Sequence, residues 1–588
     1  MRSTTRSALL LLAGAAALEL VPTVLAHGMD MDMGGEMDMS QEEPKPDPES
    51  YAPNYFAHPE HKAAIYAHIA LMIIGWVFML PVSVMFSLAR SRYTLLSQFV
   101  FLATNAVGLL IGMIYNGNTP DLYPNNAHHK LGWVVTWTVC AQALVSLLGR
   151  VSGAFNASAD KAKHADERHQ FIPVSTNAME EHDNHHPSPY RFSNDSGQGT
   201  EPRTESLRSG SLSSHSQESI PLRDVNKEFE EDDLEAADLP APLRSGRAHS
   251  VAAKIAAKIS SRVWKPLILA YNIVDRVILP LAFITICTGI ITFGRLFEGG
   301  AIFSGLAHWI KGGVFFWLGL FTLGRWAGAF GELGWAWNVR PRTARQKWRP
   351  SAEFVESFLI FFYGSTNIFL EHLANAGGEW SPQDLEHISI TVLFIGGGLM
   401  GMLVESTRIR SLLNTTVAEA VIDSPEHVYR DEELHLLEQP ETYKFSINPI
   451  PALVILLTGI MMSSHTQPSM ISTMVHRQWG NLLSAASFAR GFTYLVMFLK
   501  PPKSVLPSRP PTELLAAFGL ISGGVIFMAS ASDTVEGMIH YDMDAMFIYT
   551  VTMGLVGLLM AWEVLCIALK GWAVRKEAGR PAGSYRIA

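Results

Sequence analysis

The stretch NIFLEHLANAGGEWSPQDLEHISITVLF, residues 367–394, runs apolar, then polar, then apolar again. Each apolar run meets the polar turn with a carboxylate beside an imidazole: Glu371–His372 before it and Glu386–His387 after it. Gly377, Gly378, Ser381 and Pro382 punctuate the turn, residue types that stop one helix and open the next. The apolar runs lack the alternation of barrel strands, and in lipid a helix is the segment that satisfies its own backbone groups. The stretch therefore reads as two antiparallel membrane helices joined at one face of a bilayer.

The same pattern recurs along all 588 residues. The chain is 48% apolar and 17% charged, where a soluble protein carries about a quarter charged residues. The apolar residues come in blocks of about 20, the length that crosses a hydrocarbon core. Eleven spans are predicted, at 64–88, 95–115, 131–149, 268–292, 302–324, 354–374, 387–405, 447–464, 479–499, 512–531 and 546–569. The expected fold class is all-α, a polytopic transmembrane helix bundle. Cys140, Cys287 and Cys566 all fall inside apolar runs, which suggests neither a disulfide framework nor a cysteine zinc site.

Ahead of the spans, Arg2 and Arg6 precede ALLLLAGAAAL, and Val24-Leu25-Ala26 fits a small-residue cleavage site. Residues 1–26 read as a cleaved signal peptide, with an uncleaved anchor as the alternative. Residues 27–57 form an extracytoplasmic tail rich in His, Met and acids. Counting Lys and Arg in loops and tail, nineteen fall on one side of the eleven spans and three, Lys130, Arg295 and Arg477, on the other. This asymmetry places the N-terminus outside and the C-terminus in the cytoplasm. Localisation is then a multi-pass membrane protein of the secretory route: ER, Golgi, vacuole or plasma membrane.

Between spans three and four, residues 151–262 are rich in Ser, His, Pro and charge. That composition cannot bury a core and predicts a disordered cytoplasmic insert, with serines that suit it to binding regulatory proteins. Its end differs, because Lys254, Lys258 and Arg262 recur every four residues; a basic amphipathic helix at the membrane surface is expected. The insert separates a three-helix region, 58–150, from an eight-helix region, 263–572, followed by a cytoplasmic tail, 573–588.

Laid on this topology, every histidine in or next to a span falls at the outer face. The hairpin brings His372 and His387 together with Glu371, and His465 and His476 belong to the same layer. Imidazole with carboxylate suits zinc, copper, iron or manganese; ordinary interfacial packing is the alternative. In the tail, His27 is followed by Met29, Met31 and Met33 among acids and glycines. Thioethers select copper(I), and a solvated low-complexity tail is the alternative there. Arg490 and Glu563 lie deeper, in spans nine and eleven, and are expected to pair with each other.

Two stretches of the three-helix region, AHIALMIIGWVFMLPVSVMFSLAR (67–90) and NAHHKLGWVVTWTVCAQALVSLLGR (126–150), resemble the cytochrome b561 superfamily. The resemblance implies axial ligation of haem by His68 and His129. That family uses four ligand histidines for two haems, and span two has none, so the resemblance implies at most one b-type haem, or the fold without it. The chain as a whole resembles the fungal YTP-type membrane proteins. The match runs through the signal peptide, the His/Met tail and the His68/His129 region. It continues through residues 361–406 and through MVHRQWGNLLSAASFARGFTYLVMF (474–498). That resemblance implies a fungal multi-pass membrane protein related to electron transport and supplies no reaction.

No hydrolase motif, phosphate loop or nucleic-acid module is present, and no enzyme class follows. The expected function is redox or metal handling, with copper or haem, at an extracytoplasmic His/Glu cluster. Its partners would be the lipid bilayer and a metal ion or small redox partner. A transporter or channel with an outer His/acidic vestibule is the alternative.

Overall fold

The structure, a computed structural model, describes residues 52–152, 247–259, 261–341, 350–367, 380, 382–422, 437, 439–465 and 467–579. By its contacts the chain divides into two units. One comprises Pro53–Val535 with Asp544–Ala588, the other Met1–Ala52 with Glu536–Met543. In the smaller unit the Tyr541 and Met543 amides donate to the Gly537 and Met538 carbonyls, at 3.1 and 2.8 Å. All that follows concerns the larger unit.

It is all helical, with no strand among the described residues. In chain order the helices are α1 Lys62–Leu88, α2 Thr94–Asn118, α3 Ala127–Val151, α4 Arg247–Lys258, α5 Ser261–Gly294, α6 Ala301–Ala327 and α7 Ala352–Asn367. Then come α8 Pro382–Glu405, α9 Thr407–Ile422, α10 Ile450–Ser463, α11 Met470–Leu499 and α12 Pro511–Ala529. The last long helix, α13, is Ala545–Glu577. Each of the eleven expected stretches carries a helix. Among the described residues nine of these are long and apolar enough to cross a membrane. Of the other two, α10 has 14 residues, short of the roughly 20 a straight crossing needs, and α7 is described only as far as Asn367.

The three-helix region takes α5 as its fourth member. Trp76, Leu80 and Val84 of α1, Phe101 of α2, Val135 and Val139 of α3, and Ile278 and Ala282 of α5 form one core. Buried polar groups tie the same four helices. Asp275 on α5 accepts from Ser87 Oγ at 2.5 Å and from Gln142 Nε2 at 2.6 Å. Tyr271 OH lies 2.6 Å from Ser87 Oγ and accepts from Gln98 Nε2 at 3.4 Å. A carboxylate this deep is tolerated because each oxygen has a donor.

The amphipathic helix expected at the end of the insert is α4. Its Ala252 and Ala256 are buried with Leu148 and Trp264, whereas Lys254 and Lys258 are exposed beside Val251 and Ile255. Insert residues 153–246, most of the stretch expected to be disordered, lie outside the described residues.

In α1, residues Ile73–Met79 form a π-helical segment, and Pro81 explains it. Proline has no N–H to give the carbonyl four residues back and its ring clashes with that carbonyl. The ladder widens accordingly, with Leu80 N–H donating to Gly75 O. The carbonyl left over is that of Val77, and it accepts from Trp562 Nε1 of α13 at 3.0 Å.

The second half is built on close helix contact. A Cβ on Gly312 of α6 would stand 2.6 Å from the Gly524 carbonyl of α12, and one on Gly524 2.6 Å from the Gly312 carbonyl. Only glycine permits that approach, which is how helices pack where lipid gives no hydrophobic drive. Helix α12 thus lies between α6 and α11, its two most extensive partners.

Candidate functional site

Three polar constellations emerge: two pairs of imidazoles, half-buried but for the buried His476, and one buried cluster of charges. The first imidazole pair lies in the four-helix part. His68 Nδ1 is 2.8 Å from Gly108 O, and His128 Nδ1 is 3.1 Å from Thr285 O. A carbonyl only accepts, so each Nδ1 carries a hydrogen, which leaves Nε2 of a neutral ring as the acceptor atom. The two rings meet edge to face with centroids 6.5 Å apart. His129, expected to face His68, is exposed instead. Its backbone N–H donates to Asn126 Oδ1 at 3.1 Å, capping α3. One step of about 100° around the helix separates the two neighbours, and it turns His128 inward and His129 out. His68 and His129 therefore do not fit a shared haem.

The second pair joins α6 and α11. His308 and His476 approach edge to face at 6.0 Å. Each Nδ1 is held by a serine carbonyl one turn back, Ser304 O at 2.9 Å and Ser472 O at 2.8 Å. Again the proton is fixed on Nδ1 and Nε2 is the free basic atom. Phe527 of α12 packs on His308 at 5.7 Å and stacks on Trp479 at 4.0 Å. His387, in the first turns of α8, lies within electrostatic reach of His308, as His465 does of His476. His465 Nδ1 is 3.6 Å from Glu386 Oε2 at a partly exposed position. The layer expected from His387, His465 and His476 thus gathers around His308, which the sequence reading left outside the candidate set. No three His, Cys, Asp or Glu side chains converge closely enough to hold a metal among the described residues. Glu371 and His372, with His27, Met29, Met31 and Met33 of the tail, lie outside the described residues.

At the opposite ends of α6, α11 and α12 is a cluster of charges. Arg325 of α6 donates to Glu353 at 2.7 Å and Glu356 at 3.0 Å, both on α7. Arg490 of α11 donates to the same Glu356 at 3.0 Å, to Glu513 of α12 at 3.1 Å and to Thr322 Oγ1 at 2.8 Å. All five charged residues are at most 5% exposed. The Trp337 ring covers the Arg325 guanidinium at 4.3 Å, and Trp335 O accepts from its Nε at 2.7 Å. The expected Arg490–Glu563 pair does not form, because α7 and α12 present carboxylates closer to Arg490. Glu563 Oε2 instead has no hydrogen-bond partner among the described residues. Each of Arg325, Glu353, Glu356 and Glu513 lies within a few residues of an expected span end. There a charge reads as a cap, and that hid the cluster.

The chain has been compared with known proteins. Residues 281–571 match the family model described as Protein YTP1-like, C-terminal, and residues 49–152 a domain of unknown function (DUF2427). An uncharacterized membrane protein of Schizosaccharomyces pombe is 34% identical over 520 residues, covering 86% of this chain and 94% of that protein. An uncharacterized membrane protein of Saccharomyces cerevisiae is 42% identical over 307 residues, 50% of this chain and 46% of its own length. Protein YTP1 of the same yeast is 23% identical over 238 residues, 40% of this chain and 43% of its own. No solved structure matches significantly. With its apolar helices and a relative aligned almost from end to end, the chain is a multi-pass membrane protein and belongs to the YTP1-like family.

Proposed function

We propose that the protein binds and hands on a transition-metal ion, of the copper or zinc class, at the histidine layer around His308 and His476. The observation that carries this reading is the fixed tautomer of both imidazoles. Each has Nδ1–H donated to a carbonyl of its own helix and Nε2 left basic, the arrangement in which histidine ligates metals. His387, with His465 and Glu386 nearer water, supplies the approach. The Lys/Arg asymmetry of the loops supports an orientation with this layer on the extracytoplasmic side.

A transporter is the second reading, favoured by one observation. Helices α6 and α11, which carry His308 and His476, also carry Arg325 and Arg490 of the buried charge cluster toward their other ends. Along α6 the separation from His308 to Arg325 is about 25 Å at the usual helical rise. Ionisable side chains packed between membrane helices often line ion or substrate pathways. A haem-based redox role would rest on His68 with His128, the pair whose rings face each other.

The test is metal titration and visible absorption on the detergent-purified protein. Wild type should bind copper(I) or zinc near one ion per chain at the membrane site, and the His308→Ala/His476→Ala variant should lose at least tenfold in affinity. Binding unchanged in that variant would remove this site. A Soret band abolished by His68→Ala/His128→Ala would make the redox reading the better one.

A further inference from the structure

A cleft of about 480 Å³ lies between α1, α2 and α13, within the roughly 300–1,000 Å³ of ligand pockets. Two ties between helices bound it. At one end Trp562 Nε1 donates to the Val77 carbonyl that Pro81 leaves over. At the other, Glu577 of α13 accepts from Ser91 Oγ at 3.0 Å, from the Arg92 backbone N–H at 3.1 Å and from the Arg92 guanidinium. Between the ties the walls are apolar: Phe78 and Val82 of α1, Leu96 and Val100 of α2, and Trp562 and Trp572 of α13. Phe78, Leu96, Val100 and Trp572 are exposed, so in a bilayer the cleft is open to hydrocarbon.

Its length fits one leaflet. The fifteen residues from Trp562 to Glu577 rise about 22 Å, and one leaflet with its head groups is about 20–22 Å thick. Tyr93 and Trp572, stacked with centroids 6.0 Å apart, are ring types that gather at head-group level. Lys576 lies on both rings, with Nζ 5.0 and 4.9 Å from their centroids, and donates to Tyr93 OH at 2.7 Å. That takes one of three ammonium hydrogens, and the side chain is exposed. Residues 86–97 and 570–579 carry Arg90, Arg92, Lys570, Arg575 and Lys576 against Glu577 alone, so this end of the cleft is positive.

We propose that the cleft is a binding site for an anionic glycerophospholipid, with an acyl chain along the apolar walls and the phosphate at the Lys576 ammonium. Charge complementarity selects this occupant, since basic pockets between membrane helices take anionic head groups. A sterol brings no charge to the positive end. A second copy packed symmetrically in the bilayer would set that end beside its own counterpart. The Lys/Arg asymmetry of the loops supports a cytoplasmic position for this end, and the cytoplasmic leaflet is rich in anionic lipid.

The test is photolabelling of the detergent-purified full-length protein with a phosphatidylserine that carries a diazirine on one acyl chain, followed by peptide mapping. In wild type the label should fall in the wall segments 78–100 and 562–572. Unlabelled phosphatidylserine should displace it at least about fivefold better than phosphatidylcholine, the effect of one cation beside an anionic surface. Lys576→Ala should abolish that preference and Lys576→Arg should keep it, while Val100→Trp, which fills the cleft, should remove the label. A label that misses the walls, equal displacement by phosphatidylcholine, or an unaltered preference in Lys576→Ala overturns the proposal. Displacement by ergosterol in place of phosphatidylserine overturns it in favour of a sterol, and loss of the label on dimer formation in favour of a second copy. Should Val100→Trp not fold, the position of the label in wild type and the two Lys576 variants decide.

Discussion

Arg490 is the side chain on which the most depends. It holds Glu356 and Glu513 and reaches Thr322 across three helices. Removing one partner of a buried ion pair typically costs about 3–5 kcal/mol, because the other charge stays behind. Arg490→Met should therefore lower the thermal unfolding midpoint of the purified protein sharply, and Arg490→Met with Glu513→Gln should recover part of that loss. No recovery in the double variant would mean that the two side chains are not coupled. The histidine pair of the four-helix part gives a milder contrast. His128→Ala loses a half-buried hydrogen bond worth about 1 kcal/mol, and His129→Ala, at an exposed position, should stay within about 0.5 kcal/mol of wild type. Equal effects of the two would argue that His128 is not the inward residue.

At the scale of the element, the π segment of α1 and its partner on α13 form a unit. Trp562→Phe leaves the Val77 carbonyl without a donor, a loss of about 1–3 kcal/mol. Pro81→Ala restores an N–H for that carbonyl. In the Pro81→Ala background the Trp562→Phe cost should shrink, and a double-mutant cycle on unfolding midpoints measures it; strict additivity would refute the link between proline and tryptophan. Helix packing makes a second test. Gly312→Leu puts side-chain atoms where the Gly524 carbonyl stands, so α6 and α12 must separate. Loss of monodisperse protein after detergent extraction is the expected outcome, whereas Gly554→Leu on α13, which has open space at that position, should extract like wild type.

The whole molecule is organised differently from its chain order. The insert suggests a cut between three helices and eight, but packing places α5 with the first three, and α1 packs against α13. Where the first helix pair turns, Arg92 meets Glu577 at 3.1 Å. A chain divided within residues 153–246 and expressed as two tagged pieces should therefore reassemble and co-purify. Asp275→Leu, which removes the acceptor shared by Ser87 and Gln142, should weaken that recovery several-fold. Pieces that never co-purify would show that these contacts do not hold the molecule together.

Helix state, helix positions and membrane character were all legible from the sequence, because a bilayer leaves a long apolar segment only one way to satisfy its backbone. Which of two adjacent histidines points inward was not, because His128 and His129 differ by one residue of helical phase and only the neighbouring α1 and α5 decide it. Nor was the partner of Arg490, because the carboxylate on α13 and those on α7 and α12 are equally plausible until the helices are packed. The sequence by itself determined a multi-pass helical membrane protein. Tertiary structure alone decided which polar side chains meet, because a meeting between helices distant in the chain depends on their rotation and neighbours, and neither is written in hydropathy.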